Sequence, residues 1–492
     1  MKITSQLLLF LAFLWTTKAI PHLTPIPTER FLLHETLDHL GNYHVFWKFN
    51  KTHITFEVHV KTRGYFGFGI SPNGKMYPSD VVVGWVKDGV PHFSDLHTVG
   101  HFQPVKDISQ DWTLLHGEEN NFGTLLKFER PLTTCDDNDT NIVDATMRII
   151  FSYHPDDPKD YDHLHWHGAT RRGAKSMMLL STSKQYKLPD DSQTKDLVHH
   201  QPFNFPPNVG LPIGENENEY AYIIEIHYNN PGAVSGLVDS SGMKFTYTSH
   251  LRQHDAGILT VGMYENKQQI IPPHYCDFKI QAVCTKECIS KALTDASIDE
   301  IKLFAVWQHA HLLGKGITTR HLRNDVELEP IAEDEHYDFD YQETRLFRKE
   351  ITMRKGDSIR VECTYDSTLR KNITYGGFST TDEMCFSFVY YYPRVPLFMT
   401  IQSLLYDTIP GHTSLLSYTW KDQSSLDELV NLVETSDWTD DSVRSKFQQD
   451  VLNSSMRSRC YWLQSPYRTQ ETLKLEDPAV PYHKQDTSCR HG

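Results

Sequence analysis

The chain has 492 residues, a formal net charge of -15 and a pI near 6.0. That balance argues against nucleic acid or an anionic membrane surface as the main partner. Apolar residues make up 39% and aromatics 12%, ample for sizeable cores and unlike a disordered or collagen-like chain.

Met1 to Ala19 carries Lys2, the apolar run Leu7 to Trp15 and a Thr-Lys-Ala end. This pattern predicts a secretory signal peptide over 1–19, too short to span a bilayer. No later stretch reaches the apolar length of a span, so no transmembrane anchor is expected. The secretory pathway, outside the cell or in the endoplasmic reticulum lumen, is the expected address. Asn50, Asn138, Asn372 and Asn453 head glycosylation tripeptides that suit it. Eight cysteines, an even number, suit disulfides in such a compartment.

From Tyr43 to Tyr153 the pattern is all-β. HVFWKF, ITFEVHVKT, YFGFGIS, DVVVGWV, TLLKFER and ATMRIIFSYH are short β-branched or aromatic runs. Turn clusters at Ser71-Pro-Asn-Gly and Lys87-Asp-Gly separate them, which predicts an antiparallel sandwich over 40–155. With SPNGKMYPSDVVVGW as its most distinctive piece, this block resembles a DOMON domain and is expected to be structural. Residues 156–191 follow as a linker. His163, His165 and His167 alternate there like a metal comb, but flanking Asp, Pro and Gly favour a surface loop.

Residues 192–240 hold the adjacent pair His199-His200 and then EIHYNNP with His227. Strands and turns alternate again from Asp299 to Pro393. Within AVWQHAHLL, His309 and His311 stand at i and i+2, so period two puts both imidazoles on one strand face. The bland reading is a half-buried strand with two satisfied histidines. A metal pair is the sharper one, and a nearby thioether from Met384 would bias it towards copper(I). Ser425-Leu-Asp-Glu428 opens an amphipathic helix by a capping box, and Asp440 opens another. Both tail helices are expected to be peripheral.

EIHYNNP, DSSGMKFTYT, LRQHDAGIL, HAHL, YDFDYQE and TTDEMC followed by YYP occur in one order. In that order they resemble the copper type II, ascorbate-dependent monooxygenases, and the DOMON block points to the dopamine β-hydroxylase-like branch. The resemblance implies a mostly β chain. A DOMON sandwich is followed by a truncated N-terminal copper lobe over 192–240 and a complete antiparallel copper lobe over 241–420. The C-terminal tail, 421–492, carries short helices. It also implies that His309, His311 and Met384 hold the oxygen-binding copper, with His309 at the catalytic centre. His199, His200 and His227 would hold the electron-transfer copper. Two coppers per subunit and ascorbate as reductant are the family's cofactors; one copper or none is expected here if the short lobe is incomplete.

Departures from the family sit in that lobe. Few residues lie between the linker and Leu211, and the lobe's strands, its cysteines and a Thr-Thr-Tyr-Trp-Cys motif are missing. Such a fragment is too short to bury a sandwich core. The resemblance further implies Cys363–Cys385, Cys288–Cys460 and Cys135–Cys489 bridges. Thr400 stands where the family has a cysteine, which leaves Cys284 without its family partner and Cys276 as a substitute. Trp307 occupies the place of an arginine in the amidating branch, which speaks against peptide amidation. The expected activity is hydroxylation of a C–H bond in a small substrate, with amines among the candidates. The alternatives are a catalytically inactive secreted relative and a defective truncated product.

Overall fold

In this computed structural model the described residues are 25–31, 33–180, 203–212, 234–236, 238, 247–406, 423–463 and 468–483. They fall into two compact units, one drawn from 1–141 with 149–175 and the other from 142–148 with 176–492. Both are built mainly from antiparallel strand pairs, with Gly257–Met263 running parallel to Leu397–Leu405 in the second, and helices number three among the described residues.

The first unit pairs a five-stranded with a six-stranded sheet. Each apolar run read from the sequence falls on a strand: Tyr43–Phe49, His53–Val60, Phe66–Ser71, Asp80–Lys87, Thr124–Pro131 and Met147–Tyr153. Phe56, Phe68, Trp112 and Phe128 interlock between the sheets with ring centroids 4.9 to 6.2 Å apart. Asp88 and Gly89, both at positive φ, make the tight hairpin into Val90–His97. The alternating histidines lie in a loop, each held locally. His163 Nδ1 meets Asp160 Oδ1 at 2.6 Å, His165 Nε2 meets Asp157 O at 3.2 Å, and His167 Nδ1 meets Gly168 O at 2.7 Å.

Asp80, Asp95 and Asp139 gather around the buried Arg130. Burial, then the neighbouring carboxylates, push Asp95 up to about 8 and Asp139 up to about 7. The folded unit therefore keeps protons that the unfolded chain, titrating near 4, has released. The stability these groups contribute is full below about pH 4 and is lost as pH rises through 7 to 8. Thermal melts should show a loss on the order of 2 kcal/mol between pH 6 and pH 8.5, reduced in Asp95→Asn. A flat profile in the unsubstituted protein would mean that both groups ionise within the fold.

The second unit stacks a seven-stranded sheet on a five-stranded one. Val261, Leu303 and Val389 from the first meet Ile280, Ile317 and Val361 from the second in one core. The Cys363–Cys385 disulfide, with Cα atoms 5.8 Å apart, links a strand of the smaller sheet to the residue before Phe386–Tyr392 in the larger. Cys288–Cys460 ties the helix α1 (Lys286–Asp295) to the strand Ser455–Trp462. Thr285 caps α1 by accepting from the Cys288 N–H.

Two expectations are corrected here. Cys276 and Cys284 are both free, one exposed and one buried. The seven-residue strand Phe278–Cys284 separates them. At about 3.3 Å per residue it holds the Cα atoms roughly 20 Å or more apart, against the ~7 Å limit for a disulfide. The tail helices are not peripheral. From α2 (Gln423–Glu434) and α3 (Asp441–Asn453, capped by Asp440), Leu429, Val433, Phe447 and Val451 enter the main core. Ser455–Trp462 and Arg468–Lys474 then extend the seven-stranded sheet.

Candidate metal centre

The histidine pair is presented by a change of phase in the strand Glu300–His309. Ile301 and Leu303 face the main core, but the register shifts between Leu303 and Ala305. Phe304 and Ala305 both turn to the opposite face, where they pack under Phe205 and Val209. Beyond this bulge it is Val306 and Ala310 that face the core, with Gln308 between them donating to Ile317 O and Thr319 Oγ1 at 3.0 Å. Trp307, His309 and His311 are thereby carried to the outer face.

His309 pairs with Phe386 across the antiparallel ladder. His311 follows His309 by two residues and Met384 precedes Phe386 by two, just beyond the end of this ladder. The two imidazole centroids lie 5.2 Å apart with planes at 84°. Met384 is 8% exposed and clusters with Phe386 and Ile401 on the same face. Trp307 stacks on Phe388 at 4.7 Å and stands 5.4 Å from His309, an aromatic wall beside the pair.

Hydrogen bonds select the nitrogen that each ring presents. His309 Nδ1 lies 2.6 Å from Gln342 Oε1, while the Gln342 amide donates to Phe339 O at 2.8 Å. The amide oxygen therefore accepts, and Nδ1 carries the proton. His311 Nδ1 lies 3.1 Å from the Asp382 carbonyl, which can only accept. Both rings are thus held in the tautomer whose Nε2 ligates a metal, an arrangement common around metal-binding histidines. Two imidazole nitrogens with a thioether make a donor set suited to copper, and to copper(I) above the harder ions.

The backbone between the histidines is clamped as well. The Tyr337 hydroxyl donates to Ala310 O at 2.6 Å and accepts from Ala310 N–H at 3.0 Å. The Glu383 carboxylate, fully buried, accepts from His311 N–H at 2.9 Å and Leu313 N–H at 2.6 Å. Burial pushes its pKa up to about 8. Tyr365 donates to Met384 O at 2.7 Å. Sequence reasoning assigned no role to Gln342, Tyr337 or Glu383, although the first two lie in YDFDYQE. An acidic residue directly before Met384 in a β-rich run was the available signal for the third.

His199, His200 and His227 lie outside the described residues, as does Cys489; Cys135 is disulfide-bonded. The segment 203–212 is described, and it lies on the second unit's seven-stranded sheet. There Phe203 meets Tyr390 at 5.2 Å and Phe205 meets Phe304 at 5.7 Å.

A family model described as copper type II ascorbate-dependent monooxygenase, C-terminal domain, matches residues 254–409, and a DOMON domain model matches 38–154. The DBH-like monooxygenase protein 1 of Gallus gallus is 33% identical over 449 residues, covering 73% of this chain and 73% of its own. The DBH-like monooxygenase protein 2 of Mus musculus is 28% identical, covering 79% and 75%. Dopamine beta-hydroxylase of Rattus norvegicus is 26% identical, covering 75% and 74%. On the strength of these matches, the chain belongs to the DBH-like family of copper type II ascorbate-dependent monooxygenases.

Proposed function

We propose that this chain is a secreted monooxygenase-like protein in which His309, His311 and Met384 hold the oxygen-binding copper. The observation that carries the reading is the pair of committed Nδ1 atoms, on Gln342 Oε1 and on the carbonyl of Asp382, two residues before the thioether. Hydroxylation converts a C–H bond to C–OH with one oxygen atom of dioxygen; two electrons and two protons reduce the other to water. Bound copper supplies the one-electron chemistry this needs, and ascorbate is the family's electron source. His309 and His311 orient the centre, and Trp307 with Phe388 forms an apolar wall suited to a small apolar or aromatic substrate.

Secretion is part of the proposal. It rests on the leader-like start, on two disulfides, which persist in oxidising compartments, and on four exposed acceptor asparagines, Asn50, Asn138, Asn372 and Asn453. Among the described residues no helix is long and apolar enough to cross a membrane.

A second reading, a copper-binding relative without turnover, is favoured by the shortness of the 192–240 stretch, which holds no cysteine. Elemental analysis of the secreted protein separates the two. Two coppers per chain, falling to one in His311→Ala, would make turnover with ascorbate the expected result. One copper, lost in the same variant, would favour the inactive reading. Copper content that is unchanged in His311→Ala would overturn the site.

A further inference from the structure

The Glu383 carboxylate accepts from backbone N–H groups of both ligand-bearing segments. The ladder between Glu300–His309 and Phe386–Tyr392 ends at the pair His309 and Phe386. Beyond it the N–H groups of His311 and Leu313 have left the strand pairing, and a buried N–H needs an acceptor. Glu383 supplies one from the opposite segment. Its Oε1 takes Leu313 N–H at 2.6 Å, and its Oε2 takes His311 N–H at 2.9 Å and Met384 N–H at 3.3 Å. One oxygen atom thus holds the main chain of the imidazole residue and of the thioether residue together.

The carboxylate is itself anchored from below. The Glu383 N–H donates to Tyr375 O at 2.9 Å, and its carbonyl accepts from Gly377 N–H at 3.2 Å. The preceding residue adds a third link to the same histidine, because Asp382 O accepts from His311 Nδ1. Asp382 and Glu383 therefore grip the side chain and the backbone of His311 at once. Burying a carboxyl group is unfavourable unless it is hydrogen-bonded, so a position needing only to fill space would carry an apolar residue. No apolar side chain can accept from three converging N–H groups.

We propose that Glu383 is the positioning residue that sets the spacing between His311 and Met384, so that ring and thioether reach one copper ion. This rests on the copper reading above, and the experiment separates the two. Glu383→Gln keeps the shape but turns one acceptor oxygen into an amide group facing an N–H donor. Cu(I) affinity measured by competition with a chromophoric chelator is expected to fall about 10- to 100-fold, the usual effect of removing a residue that orients a ligand. The Cu–S contribution to X-ray absorption should weaken, while circular dichroism stays that of the unsubstituted protein.

A Cu–S signal present in the unsubstituted protein and absent in Met384→Ile, but intact in Glu383→Gln with full affinity, would overturn the positioning role and leave the site standing. Absence of any Cu–S signal in the unsubstituted protein would overturn both. Should Glu383→Gln fail to fold, amide hydrogen exchange in the unsubstituted, metal-free protein decides. Strong protection at His311 and Leu313, outside the ladder, supports the brace; exchange at the rate of an open loop overturns it.

Discussion

Replacing Met384 with isoleucine is expected to lower Cu(I) affinity by more than about 100-fold while the chain keeps its fold. Loss of a ligand should exceed the 10- to 100-fold effect of losing a residue that merely orients one. The thioether is the soft donor of the set, and two imidazoles alone hold copper(I) less well. Isoleucine nearly conserves volume and suits a β context, so packing against Phe386 and Ile401 should cost about 1.5 kcal/mol or less. The Cys363–Cys385 bridge next door holds the segment in place in both proteins. Chelator competition checks the affinity and thermal melting checks the fold. Unchanged affinity would remove Met384 from the centre.

Thr400→Cys should create a third disulfide in the second unit and stabilise it by about 2–4 kcal/mol. Thr400 and Cys284 are both 0% exposed, and the thiol lies against the threonine side chain, its pKa pushed up to about 12 by burial. Gln402, two residues on, already ties the two strands by accepting from Val283 N–H and donating to Val283 O. The hydroxyl of Thr400 has no partner satisfying hydrogen-bond geometry, so its removal leaves no acceptor stranded. Thiol titration in denaturant should find one free cysteine, Cys276, in place of two. A count of three would show that the new thiol stays reduced and that the strands are held too far apart.

What was legible in the sequence follows from how local each cause is. Runs such as ITFEVHV and DVVVGWV announce strands because β-branched and aromatic side chains suit a half-buried pleat. Thr113–Glu119, TLLHGEE, was passed over because it lies at a sheet edge with mostly exposed side chains and carries little apolar signal. The apolar face of LDELVNLVE was visible, but nothing local says that Leu429 and Val433 dock into the same core as Val361. His309, His311 and Met384 could be nominated from residue type and order. Their tautomers could not, because Gln342 meets His309 only after the chain between them has folded back. The partners of Cys288 and Cys363 came through family likeness, whereas the geometry that keeps Cys276 from Cys284 needed the strand itself.

The bulge at Phe304 makes the centre depend on chain length more than on residue identity. A substitution between Ile301 and His309 changes one contact and leaves every other side chain on its own face. Removing one residue there would reverse the whole set, sending two imidazoles into an interior built for Val306 and Ala310 and turning Gln308 outward. In descendants of this gene, point changes along the strand can accumulate gradually, but insertions and deletions act as an on–off switch for metal binding.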